Sequence, residues 1–145
     1  MGKSNKLIIY TDGGARGNPG PAAIGVVIND NPDMGFKAKH YSEAIGKTTN
    51  NVAEYKAVMF GLKKAKFLLG GDRAKETEIE ICSDSEFVVN QMNGVYRIKD
   101  EDLKPFFIEV WNLKQDFKHV SFSHIPREKN GAADSLVNQA LDTLL

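Results

Sequence analysis

The chain opens on a short alternating run. Leu7, Ile9 and Thr11 fall on one face and Ile8, Tyr10 and Asp12 on the other, the period-two pattern of a strand. A glycine- and proline-rich stretch from Gly13 to Pro21 interrupts it, and Ala23 to Ile28 reads as a second strand. Asn29 to Gly35 is a cluster of turn residues, after which Phe36 to Ile45 predicts a third strand of mixed polarity. Short connections make these three an antiparallel meander. The period then changes. From about Asn51, the residues Val52, Tyr55, Val58, Met59, Leu62, Ala65 and Leu69 recur at helical spacing, and Gly70-Gly71 stops the helix. Glu78 to Cys82 predicts a fourth strand, which should lie parallel to the first by a right-handed crossover because a long helix precedes it. Phe87, Val88 and Met92 predict a short helix ending at Asn93-Gly94, and the apolar positions from Leu103 to Leu113 predict another. Val120 to Ile125 reads as a fifth strand, and Gly131 to Leu145 as a terminal helix led by Asn130. The fold class is α/β: a mixed five-stranded sheet, three antiparallel strands and then two parallel additions, flanked by helices. No repeat or linker interrupts residues 1–145, which are expected to form a single domain.

Bulk composition changes this picture little. Hydrophobic content of 41% and charged content of 26% are ordinary for a globular chain. The balance of 19 basic against 19 acidic residues gives no global field, so a nucleic-acid partner would have to be held by local basic groups and bound metal. Cys82 is the only cysteine, which excludes an internal disulfide and a cysteine-based zinc site. The apolar run after Lys3 and Lys6 is only Leu7-Ile8-Ile9, far short of a signal-peptide core or a membrane span. The expectation is a cytoplasmic monomer with no membrane contact and no obligate protein partner.

Candidate chemistry resides in four acids, each set in a polar or glycine-rich segment. They are Asp12 in Thr11-Asp12-Gly13-Gly14, Glu54 after Thr49-Asn50-Asn51, Asp84 in Ser83-Asp84-Ser85, and Asp134 after Asn130. Singly, each has an ordinary explanation. Asp12-Gly13 is a common turn pair, Glu54 could complete a capping box with Asn51, Asp84 could cap a helix, and Asp134 suits a first turn. Their joint placement points elsewhere. Asp12 and Asp84 follow the carboxyl ends of two strands expected to be parallel neighbours, where open α/β sheets bind ligands. Glu54 and Asp134 each begin a helix able to pack on that sheet. Carboxylates gathered in one place repel unless cations neutralise them, and hard oxygen ligands favour Mg²⁺ or Mn²⁺ over zinc. A carboxylate-only divalent site suits phosphodiester hydrolysis.

These segments, together with Gly17-Asn18-Pro19-Gly20-Pro21, closely resemble ribonuclease H of type 1, in the family's order and over nearly the whole chain. The resemblance implies an endoribonuclease that hydrolyses the RNA strand of an RNA–DNA hybrid and leaves 5′-phosphate and 3′-hydroxyl ends. It implies Asp12, Glu54, Asp84 and Asp134 as catalytic and metal-binding residues. Two divalent ions would serve, one lowering the pKa of the attacking water and the other stabilising the departing 3′ oxygen. Asn18, Asn50 and Asn51 match positions that contact the hybrid, and Thr49 matches a phosphate contact on the DNA strand.

The chain departs from the family pattern in two places. The stretch from Met92 to Lys104 is compact and mixed in charge, like the short forms that lack a basic protrusion; Arg97, Lys99 and Lys104 read there as solvated surface. The histidine that many relatives carry before the last acid has no clear counterpart. His124 belongs to the fifth strand and reads as structural, while Arg127 is placed to stabilise charge on the scissile phosphate. Two alternatives remain open at this level: a catalytically silent hybrid-binding module on the same fold, or another nuclease of the wider superfamily.

Overall fold

A computed structural model describes residues 3–144. Its strands are β1 (Lys6–Ala15), β2 (Gly20–Ile28), β3 (Lys39–Thr48), β4 (Glu78–Ser83) and β5 (His119–His124). They form one five-stranded sheet in the order β3-β2-β1-β4-β5. β1 pairs antiparallel with β2, and β2 with β3, whereas β4 pairs parallel with β1 and β5 parallel with β4. The meander and the parallel pairing of β4 with β1 are as the residue pattern implies.

Helices cover the two faces unequally. On one face lies α1 (Asn50–Leu69), with the short α2 (Gly71–Ala74) following it, α3 (Glu86–Met92) and α4 (Lys104–Lys114). Leu7, Ile9, Ile79 and Ile81 of the sheet meet Tyr55, Val58 and Leu62 of α1 there, all at most 1% exposed. Burial of each such aliphatic side chain is worth roughly 1.5–3 kcal/mol. The other face receives α5 (Gly131–Asp142) through a smaller cluster of Ala23, Val137, Ala140 and Leu141. Gly25 permits the approach, since a Cβ there would lie 2.1 Å from the Ala133 carbonyl oxygen.

Several boundaries differ from expectation, and each difference has a local cause. The glycines after Asp12 do not end β1. Gly13, Gly14 and Ala15 stay paired with Ile24, Ala23 and Ala22, so the backbone ladder continues where side-chain propensity is weak. The third strand starts at Lys39, because Phe36 is drawn into a bridge with Asn31 around the 3₁₀ turn Pro32–Met34. It then runs past Gly46, with Ile45 bulged out between the pairs Ala22–Gly46 and Ala23–Ala44. Leu145, the expected end of the last helix, lies outside the described residues.

Cys82 is buried on β4. Burial and the neighbouring Glu80 carboxylate push its thiol up to about 11, so thiolate chemistry is suppressed. Among the described residues, no helix is long and apolar enough to cross a membrane.

Candidate active site

The last registered pair of the parallel β1–β4 ladder is Thr11 with Ser83, and the next residue on each strand is an acid. Asp12 and Asp84 therefore stand side by side at the carboxyl edge of the parallel half of the sheet. Glu54 reaches them from the first turns of α1, because Gly13 lets the helix come close. The Gly13 N–H donates to Glu54 Oε1 at 2.9 Å, and Ser83 Oγ donates to Glu54 Oε2 at 3.4 Å. One carboxylate oxygen from each of Asp12, Glu54 and Asp84 lies within 4.8 Å of the other two. Asp134, in the first turn of α5, is exposed on the rim of the same cleft, whose volume is about 430 Å³. It is not part of the tight trio, but its charge acts on Asp12.

The capping roles considered for Glu54 and Asp84 belong to other residues, whereas Asp134 does occupy the first turn of α5. Thr49 caps α1, its hydroxyl accepting from the Val52 N–H at 3.2 Å, so Glu54 completes no capping box with Asn51. Ser85, not Asp84, caps α3 by accepting from the Val88 N–H. Asn130 makes no side-chain cap for α5; its Nδ2 donates to the Thr11 carbonyl at 2.9 Å. That bond ties the start of the Asp134 helix to the residue before Asp12.

Crowding shows in the electrostatics. Burial pushes the Asp12 carboxyl up to about 7, and the charges of Asp84 and Asp134 push in the same direction. Glu54 is also held well above its ordinary value, by burial first and by Asp12 second. Two buried carboxylates and a third at their side are an unfavourable arrangement without a cation.

The loop before β2 is fastened to the start of α1. Asn18 Oδ1 accepts from the Asn50 N–H at 3.0 Å, and Asn50 Oδ1 accepts from the Ala15 N–H at 2.8 Å. Both carboxamide oxygens are engaged, and on these exposed residues neither NH₂ group has a hydrogen-bond partner among the described residues. Asn51 is exposed beside them and lines the cleft. Arg127, 89% exposed, brings its Nε to 3.9 Å from Asp84 Oδ2. His124 is exposed at the end of β5, on the Val120–Phe122 side, and it neither lines the cleft nor makes a side-chain hydrogen bond among the described residues.

Two features escaped the sequence. Ser83 and Asn130 position the acids through hydrogen bonds that no spacing rule foretells. Phe87, read as one of the apolar positions of a short helix, is 38% exposed, its ring centred 6.4 Å from that of Tyr96. With Val95, Arg97 and Lys99 the pair lines a shallow groove, so the stretch read as plain solvated surface has shape. The only available signal was that Phe87 stands three residues after Asp84.

Gly13→Ala tests how the trio is assembled. A Cβ there would lie 2.3 Å from the Ala53 carbonyl carbon, so α1 must retreat and carry Glu54 with it. The expected result is a loss of about 1–3 kcal/mol in stability, with weakened catalysis. Thermal unfolding that matches the wild type would contradict the close approach.

Residues 10–140 match a family described as reverse transcriptase-like. The chain is 39% identical over 137 residues to the bifunctional protein Rv2228c of Mycobacterium tuberculosis, covering 94% of this chain but 36% of that one. It thus spans about a third of the length of the first curated relatives it matches. A ribonuclease H of Lachnoclostridium phytofermentans is 37% identical, with 94% of this chain and 92% of the relative covered. Among solved structures, the RNase H1 called LC11, isolated from compost by a metagenomic approach, is 48% identical in a complex with an RNA/DNA hybrid. That alignment covers 95% of this chain and 98% of the other, with a TM-score of 0.85.

Proposed function

The chain belongs to the type 1 ribonuclease H family, and from that premise we propose that it hydrolyses the RNA strand of RNA–DNA hybrids in the acidic cleft. One observation carries the reading: the carboxylates of Asp12, Glu54 and Asp84 converge to within 4.8 Å although helix capping requires none of them.

The donor set fits hard divalent cations. It is all oxygen, it is crowded, and it keeps two of its acids reluctant to ionise until positive charge arrives. Asp12, Glu54 and Asp84 would hold them, with Asp134 completing the set from the rim. Two Mg²⁺ or Mn²⁺ ions bound there would supply an activated water and charge stabilisation for the departing 3′ oxygen.

The chain's own groups supply the rest. Gly13 N–H and Ser83 Oγ fix the Glu54 carboxylate, so its direction is set before substrate arrives. Asp134, open to solvent, is placed to pass a proton outward. The NH₂ groups of Asn18 and Asn50, with Asn51 beside them, suit ribose 2′-hydroxyls, which accept and donate hydrogen bonds and distinguish RNA from DNA. Thr49, the cap of α1, would contact a phosphate of the DNA strand. Arg127 approaches from the opposite wall and offers its guanidinium to the scissile phosphate. The products would be 5′-phosphate and 3′-hydroxyl ends.

End-labelled hybrid, double-stranded RNA and double-stranded DNA, incubated in parallel with Mg²⁺, Mn²⁺ or EDTA, test this. Cleavage confined to the RNA strand of the hybrid, and abolished by EDTA, is expected. Binding of the hybrid without cleavage under both metals would favour the silent-module reading instead.

A further inference from the structure

A buried polar bond joins the helix that carries Glu54 to the helix that follows Asp84. Tyr55, next to Glu54 on α1, donates its hydroxyl to Gln91 Oε1 on α3 at 2.6 Å. Both side chains are fully buried, and neither lines the acidic cleft. Gln91 Nε2 has no hydrogen-bond partner, so the amide is only half satisfied. Such an amide costs more than an apolar side chain of the same shape in its place. Among the described residues, this is also the sole hydrogen bond or ion pair between α1 and α3.

The position of the bond gives that cost a use. α3 starts two residues after Asp84, and the Ser85 N–H that precedes it donates to Ser83 Oγ at 3.0 Å. Ser83 Oγ in turn donates to Glu54 Oε2, at 3.4 Å a long contact and a weak restraint against the mutual repulsion of three carboxylates. Asp12 and Asp84 are spaced by the β1–β4 ladder. Glu54 has no such ladder, and its place depends on how α1 is turned about its own axis. Successive residues of a helix point about 100° apart, so anchors at Glu54 and Tyr55 hold α1 from two directions. Gly13 and Ser83 hold the first, and Gln91 holds the second. Apolar packing is non-directional, whereas a hydrogen bond fixes both distance and bearing.

We propose that the Tyr55–Gln91 bond positions the catalytic acids: it stops α1 from rolling and so holds Glu54 against Asp12 and Asp84 at the spacing that divalent cations need. This role rests on the hydrolytic reading of the cleft, and the two residues act through Glu54 alone. Substrate recognition is fastened separately, by the bonds of Asn50 to Ala15 and Asn18.

Tyr55→Phe, and the double variant Tyr55→Phe with Gln91→Met, which removes both polar groups at nearly constant shape, separate positioning from stability. Tyr55→Phe is expected to melt lower than the wild type, because Gln91 is then wholly unpaired. The double variant should melt at or above the wild-type midpoint. In calorimetric titration both should bind Mn²⁺ about fivefold more weakly, and in hybrid cleavage both should lose roughly tenfold in kcat with KM unchanged. The Gly13 amide proton, followed by NMR in the cation-free protein, should move upfield in both as its bond to Glu54 lengthens. A double variant with recovered stability and wild-type Mn²⁺ affinity, kcat and Gly13 resonance would overturn the proposal. A wild type that neither binds Mn²⁺ nor cleaves hybrid refutes the hydrolytic reading and the proposal with it. An unmoved Gly13 resonance in variants of a chain that does cleave hybrid refutes the positioning role alone.

Discussion

Asp84→Asn is expected to lower hybrid cleavage by at least roughly a thousandfold while leaving the thermal midpoint within a few degrees of the wild type. The two halves of that result have separate origins. Asp84 follows β4, forms no cap and packs in no core; the α3 cap is Ser85, and the Glu54 contacts come from Gly13 and Ser83. An amide of the same shape therefore disturbs little. Catalysis is another matter, because the amide brings no negative charge to the point where three carboxylates converge, and a divalent cation exchanges a charged oxygen ligand for a weaker neutral one. Steady-state cleavage of labelled hybrid, with circular dichroism melts of both proteins, separates the two halves. Retained turnover would remove Asp84 from the metal-binding set.

Asp12→Asn should inactivate the enzyme and at the same time stabilise the cation-free protein at alkaline pH. Burial and the charges of Asp84 and Asp134 raise the folded pKa of Asp12 from 3.8 to about 7. Between those values the folded state binds more protons than the unfolded chain, so stability must fall as pH rises through that window, and the loss is complete above it. The displaced equilibrium is worth on the order of 2–4 kcal/mol. Asparagine cannot ionise and is spared this loss. Urea unfolding in EDTA at pH 5 and at pH 8 should show the variant gaining on the wild type at the higher pH. Mg²⁺ should restore the wild type at pH 8 more than it restores the variant. Parallel profiles would mean that Asp12 is not the strained member of the cluster. The same protons compete with the cation, so metal affinity should strengthen as pH rises through the range in which Asp12 and Glu54 are held protonated.

Much of this protein could be read from its residues because the informative signals are local. The period-two and period-3.6 runs set strand and helix order, and the helix between β1 and β4 required a parallel crossover. Asp12 and Asp84 could be paired across the sheet for the same reason. What stayed hidden depended on contacts distant in sequence. Gly13-Gly14 looked like a turn, but pairing with β2 and the close passage of Ala53 make it strand. Asn51 looked like a cap, but Thr49 takes that role, and the Asn18 and Asn50 amides fasten the loop to the helix instead. His124 fell on the apolar parity of β5, yet the strand ends there and leaves the ring in solvent. Asn130 signalled only a helix start, and its bond to Thr11 spans 119 residues.

The central claim is that Asp12, Glu54, Asp84 and Asp134 form one cation-binding unit. Calorimetric titration of Mn²⁺ into the wild-type chain and into Asp84→Asn at pH 8 tests it without relying on turnover. Saturable binding by the wild type is predicted, weakened at least about tenfold in the variant, whose circular dichroism spectrum stays unchanged. Equal affinity in the two proteins, or no binding in either, would contradict it.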